Sequence, residues 1–214
     1  CARVLIAAGA DLEAQDDEGT TALMHAVRNH EVACVQLLID ARANVDAEDG
    51  QCRTALIFSA WNNAEDCTQL LIDARANTNA RRSDTHTALM ISVRNNDDVC
   101  TQLLIDARAD LDAMCADGHT ALNICAEHEH PDCMRLLIDA NADLEAVNHE
   151  GATALIVAAI KGSVACTELL INANANPNAE NNEGSTALIQ SAQKNHPECL
   201  QLLIGAKADI HAKN

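Results

Sequence analysis

The chain of 214 residues carries 32 acidic against 14 basic side chains, a formal charge of −18, which argues against non-specific binding to nucleic acid or an anionic membrane. Apolar residues make up 48% of it, yet it holds one Trp, one Phe and no Tyr, so its core must be filled by Leu, Ile, Val, Ala and Cys. Such small side chains suit thin layers better than one thick centre. No apolar run approaches the about 20 residues of a membrane span. The opening Cys1-Ala2-Arg3-Val4-Leu5-Ile6 has neither an initiator Met nor a signal-peptide layout and reads as the start of a fragment of a longer chain.

Residues 1–15 hold an apolar helical stretch and a turn, half of a pattern that then repeats. Thr-Ala-Leu begins at Thr21, Thr54, Thr87, Thr120, Thr153 and Thr186, always 33 residues apart. Leu-Leu-Ile keeps step from Leu37, Leu70, Leu103, Leu136, Leu169 and Leu202. Cysteine keeps it at Cys1, Cys34, Cys67, Cys100, Cys133, Cys166 and Cys199. This divides the chain into a partial repeat 1–15 and six full ones, 16–48, 49–81, 82–114, 115–147, 148–180 and 181–214.

Within the first full repeat, Asp16-Asp17-Glu18-Gly19 is a polar turn and Thr21 a helix N-cap. A short helix from Ala22 to about Asn29 is expected to break at His30. The matching residues are Asn63, Asn96, Glu129, Gly162 and Asn195, and Gly and Asn suit a left-handed exit. A second helix follows from about Val32 to Asp40, with Cys34, Val35, Leu37, Leu38 and Ile39 on its apolar side. An extended Ala-Asn-Val-Asp-Ala segment leads to the next turn. One such repeat cannot bury its apolar face alone, so neighbours are expected to stack into an all-α repeat solenoid. Apolar Leu200, Leu203 and Ile204 in the last helix, and the missing leading helix of the first repeat, suggest further repeats or flanking domains in the parent protein.

The repeat resembles the ankyrin repeat. Gly19-x-Thr21-x-Leu23 is similar to that family's Gly-x-Thr-Pro-Leu, and Leu37-Leu38 with Ala43-Asn44-Val45-Asp46-Ala47 to its Leu-Leu and Ala-Asp-x-Asn-Ala. The chain departs from the family in two places. The Pro after the Thr is Ala at 22, 55, 88, 121, 154 and 187, where Pro is favoured but not required. The Gly after the second helix survives only as Gly9; elsewhere Arg42, Arg75, Arg108, Asn141, Asn174 and Lys207 stand there. A left-handed Arg costs about 1 kcal/mol or more, so strained or differently shaped turns are expected.

The periodic cysteines fall on the inner side of the second helices. Stacked helices lie about 8 to 10 Å apart, beyond the about 7 Å that a disulfide's Cα atoms tolerate. They therefore read as buried free thiols of a reducing, intracellular and cytoplasmic setting. Cys52, Cys115 and Cys125 lie off this ladder. Cys52 and Cys115 sit at turns and are expected to be the more reactive thiols. His30-Glu31-Val32-Ala33-Cys34 imitates a zinc-protease motif but ends on the wrong ligand. His119, His128, His130 and His149 with Cys115 match no zinc spacing and read as surface histidines rather than a metal site. There is no dinucleotide fingerprint, phosphate loop or nucleophile elbow. No cofactor, no catalysis and no small-molecule substrate are expected.

The resemblance implies protein–protein interaction along a concave groove formed by turn tips and first helices. Counting nine residues beyond the turn glycine, this sequence fills the groove with Arg28, Trp61, Arg94, Glu127, Ile160 and Gln193. Trp and Arg are enriched at binding hot spots. Arg53, Arg81 and Arg82 are expected nearby, with Arg75, and Asp84 is the only acid between 75 and 94. A partner segment with acidic and aromatic or apolar residues would complement this region, whereas the later tips, Asp117, Glu150 and Glu183, suit a basic one or none. Two alternatives accompany that reading. The resemblance implies a substrate for an asparagine hydroxylase at Asn79 and Asn178, residues that serve equally well to hold the turn. The histidines and off-ladder cysteines offer a minor metal- or redox-sensing role.

Overall fold

In a computed structural model of the protein, residues 2–211 are described. They fall into two compact units, Cys1–Asp110 and Leu111–Asn214. The first holds α1 (Ala2–Ala7), α2 (Ala22–Arg28), α3 (Val32–Asp40), α4 (Ala55–Trp61), α5 (Glu65–Asp73), α6 (Ala88–Arg94) and α7 (Asp98–Asp106). The second holds α8 (Ala121–His128), α9 (Pro131–Asp139), α10 (Ala154–Lys161), α11 (Val164–Asn172), α12 (Ala187–Gln193) and α13 (Pro197–Gly205). Among the described residues, extended pairing is limited to the isolated bridges Gln15–Thr21 and Glu180–Thr186.

Helices of six to nine residues are too short to persist alone in water. Packing between equivalent helices sustains them. In the first unit α4 lies between α2 and α6, and α5 between α3 and α7. In the second, α10 lies between α8 and α12, and α11 between α9 and α13. Leu23, Leu56, Leu89, Leu122 and Leu155 of the first helices are buried, as are Leu38, Leu71, Leu104, Leu137, Leu170 and Leu203 of the second. Each contributes about 2 kcal/mol of apolar burial. Small polar groups fit between these layers because they satisfy one another: Ser59 Oγ lies 2.9 Å from Thr68 Oγ1, and Ser92 Oγ 3.0 Å from Thr101 Oγ1.

Helix ends follow the sequence closely. All six threonines cap their helices, each Oγ1 accepting the N–H three residues on, as in Thr21 with Met24 at 3.4 Å and Thr120 with Asn123 at 3.3 Å. A cap of this kind is worth about 1 kcal/mol. The first helices exit through His30, Asn63, Asn96, Glu129, Gly162 and Asn195, all left-handed with φ between 53° and 77°. The second helices exit through Arg42, Arg75, Arg108, Asn141, Asn174 and Lys207 with φ between 60° and 66°. The arginines keep the shape of the glycine turn. They hold it because two backbone bonds close a Schellman motif: Arg42 N–H donates to Ile39 at 2.9 Å and Ala43 N–H to Leu38 at 3.0 Å.

A second set of bonds steps from each turn to the next. Glu13, Asp46 and Asn79 accept from the N–H groups of Asn44, Asn77 and Asp110 at 2.7 to 2.8 Å. In the second unit Asp112, Glu145 and Asn178 accept from Asp143, Asn176 and Asp209 at 2.7 to 2.9 Å.

Candidate protein-binding faces

In the first unit, helices α2, α4 and α6 end on Arg28, Trp61 and Arg94, all exposed. Trp61 is 47% exposed, a large share for the one indole of the chain. Its place is fixed from behind. The Asn95 side-chain amide donates at 3.1 Å to the carbonyls of both Ala60 and Trp61, tying the end of α4 to the exit of α6.

The cation nearest its ring comes from a turn tip. Arg82 sets its guanidinium 4.7 Å from the centroid of the Trp61 ring. The reason is local. At the matching tip positions Asp16 and Asp49 each accept two backbone N–H groups at 2.8 to 2.9 Å, as Asn148 and Asn181 do in the second unit at 2.9 to 3.0 Å. Arg82 has no acceptor to offer, so Asp84 takes over, accepting the His86 N–H at 3.3 Å. The same carboxylate pairs with Arg82 Nε at 2.8 Å and lies 3.2 Å from His86 Nδ1, neither contact being an aligned hydrogen bond. Thr85 turns the chain at φ 63°, where Gly19 stands in the first tip at φ 81°. A left-handed β-branched residue is strained.

Arg53 is committed inward. Its Nε donates to Asp49 Oδ2 at 2.6 Å and its guanidinium lies 4.7 Å from the buried Phe58 ring. Burial alone would raise the Asp49 carboxyl, but the Arg53 side chain and the backbone N–H groups of Arg53 and Gln51 hold it below its ordinary value. Arg81 and Arg75 are exposed.

In the second unit, Glu127 is half-buried. Its carboxylate lies 3.4 Å from Lys161 Nζ and 3.7 Å from His119 Nδ1, a surface pairing of small energetic weight. Ile160 floors a cleft of 480 Å³ between the tips carrying Glu150 and Glu183 and the side of α12. Gln193 is exposed at the end of α12.

The thiols divide by burial. Cys67, Cys100, Cys133, Cys166 and Cys199 are buried and free, Cys34 is partly exposed, and Cys1 lies outside the described residues. Burial pushes the Cys100 thiol up to about 12 and the Cys125 thiol well above its ordinary value. Cys52 is exposed at a left-handed turn position, φ 57°. Cys115 corrects the expectation of a reactive turn thiol: it is 6% exposed, because it heads a tip and turns beneath it, in the place where Asp16 and Asp49 bond inward.

Of the histidines, His128 and His130 stack with ring centroids 5.8 Å apart, and His119 Nε2 lies 3.4 Å from Asn148 Nδ2. Among the described residues, no three His, Cys, Asp or Glu side chains converge as a metal site. Asn79 and Asn178 are exposed, and their side-chain oxygens are the acceptors of the turn-to-turn bonds. No helix of the described residues is long and apolar enough to cross a membrane.

Sequence and structure comparisons agree with this repeat architecture. Three consecutive matches to the family described as Ankyrin repeats (3 copies) cover residues 1–82, 74–148 and 140–214. The ankyrin repeat domain of Bcl-3, described as a unique member of the IkappaB protein family, is 26% identical with a TM-score of 0.87, over 92% of this chain and 91% of that one. The ankyrin repeat protein EF0377 is 25% identical with a TM-score of 0.82, over 89% and 98%. An ankyrin repeat domain (ABAYE2397) from Acinetobacter baumannii AYE is 28% identical with a TM-score of 0.83, over 87% and 98%. No curated protein sequence matches the chain significantly. With matches spanning its whole length, its repeating helix pairs and their threonine caps, the chain belongs to the ankyrin repeat family.

Proposed function

We propose that the protein is a non-catalytic scaffold that binds a partner protein, and that in its first unit the partner docks on the face where α2, α4 and α6 end. The observation that carries this reading is Trp61, half-exposed and covered on one side by the Arg82 guanidinium. An indole left in solvent forgoes burial that a partner would supply, and Trp and Arg are the side chains that most often anchor interfaces. Arg82 lies over the Trp61 ring, Arg28 and Arg94 end the helices on either side of α4, and Asp84 is the only acid between residues 75 and 94. A partner segment offering carboxylates beside an aromatic or apolar residue complements that surface. Arg53, bound to Asp49 and lying over Phe58, orders the tip of the same repeat.

Glu127 and Ile160 form a separate contact region of the second unit. The free cysteines support residence in a reducing intracellular compartment such as the cytoplasm.

The test is affinity capture with the full chain, identification of what is retained, and repetition with Trp61→Ala/Arg94→Glu. Loss of the partner with an unchanged circular dichroism spectrum supports the assignment. Undiminished capture removes it.

A further inference from the structure

We infer that the second unit carries a docking site for an arginine side chain of a partner segment, in the cleft beside α12. Gln190 carries the argument. The same helical position holds Phe58, Ile91, Ile124 and Val157, apolar residues 4% to 6% exposed, or His25, whose Nε2 lies 2.8 Å from Asp16 Oδ2. Gln190 is just as deep, at 7% exposed, and its side-chain amide makes no hydrogen bond within the described structure. Its amide atoms are not sealed in the core but open to the cleft, where the equivalent repeats present an apolar side chain. The amide lines the 480 Å³ cleft, so a bound group can reach it.

The remaining lining selects the ligand. Ile160 gives an apolar floor, and Glu150 and Glu183 put two carboxylates on the rim against one ammonium, Lys194. Across residues 111–214 there are fourteen acidic and five basic side chains, so the field around the cleft repels anions and attracts cations. Arginine matches all three features. Its methylene stem lies along Ile160, and its planar head has five N–H donors to share among Gln190 Oε1 and the rim carboxylates. This site takes the opposite charge from the Trp61 face, and it rests on the reading of the chain as a protein-binding scaffold.

The experiment follows the Gln190 side-chain amide directly. The full chain, labelled with nitrogen-15, is titrated with the peptide acetyl-Gly-Arg-Gly-amide, and the Nε2 proton resonances of Gln190 are recorded. We expect them to shift saturably. Glu150→Gln/Glu183→Gln should raise the half-saturating concentration by about fivefold or more. Removing equal charge elsewhere, with Asp139→Asn/Glu168→Gln, should leave it unchanged. A Gln190→Ile variant should melt no lower than the wild type and lose the peptide-induced shifts at the Asn182 backbone amide. Trp61→Ala should bind the peptide as the wild type does, so failure of the Trp61 face and failure of this cleft are told apart. The inference is overturned if Gln190 does not respond, if acetyl-Gly-Glu-Gly-amide produces the same shifts, or if both charge-removal variants weaken binding equally.

Discussion

The Arg82 guanidinium lies over the Trp61 ring at 4.7 Å, joining a turn tip of one repeat to the end of the first helix in the repeat before it. The pair turns an exposed indole into an ordered platform. A cation–π contact at an exposed site is worth about 0.5 to 1 kcal/mol. Arg82→Ala should therefore leave the fold intact and increase acrylamide quenching of Trp61 fluorescence. Capture of the partner should fall by about twofold to fivefold. Unchanged quenching would mean that the guanidinium does not cover the ring in solution.

Left-handed arginines at the second-helix exits should be a removable cost. Arg42, Arg75 and Arg108 hold φ between 60° and 66°, a region where glycine has no steric penalty. Replacing each by Gly should stabilise the protein by up to about 1 kcal/mol, read as a rise in denaturation midpoint. The same change at Gly9 is already present in the sequence.

Asn79 is predicted to matter as an acceptor. Its oxygen takes the Asp110 N–H at 2.8 Å, the part that Asp46 plays for Asn77 at 2.7 Å. Asn79→Asp should be close to neutral. Asn79→Ala should cost about 1 kcal/mol in chemical denaturation, the net worth of one hydrogen bond.

Acid should destabilise the second tip through Asp49. Its carboxyl sits below the ordinary value of 3.8 in the folded chain, held there by Arg53 and two backbone N–H groups despite its burial. A depressed carboxyl adds stability above its unfolded value, and that stability is lost as pH falls through the folded one. Melting temperature should thus drop as pH falls below 3.8, and Asp49→Asn should flatten that drop while lowering stability at neutral pH.

Much of the architecture is legible because each signal is local and recurs every 33 residues. Thr21 and its equivalents cap helices because the hydroxyl needs only its own third neighbour. The exits at Asn96 or Arg42 are left-handed because two backbone bonds demand it, whatever the side chain. The row Arg28, Trp61, Arg94 follows from counting. What counting misses depends on where one side chain breaks the pattern. Arg82 replaces a turn-holding acid, which frees it to reach Trp61, and Cys115 at the equivalent position goes under the tip instead. Gln190 stands where four other repeats carry an apolar residue, but that its amide has no partner is a tertiary fact.

The single tryptophan permits one decisive reading of the docking face. Trp61 is replaced biosynthetically by 5-fluorotryptophan, and the one fluorine resonance is followed while the captured partner is added. A partner seated on this face should shift or broaden that line and reduce its sensitivity to solvent, saturating with the partner's own binding curve. A fluorine line that stays fixed when the protein is fully bound would contradict the Trp61 docking face.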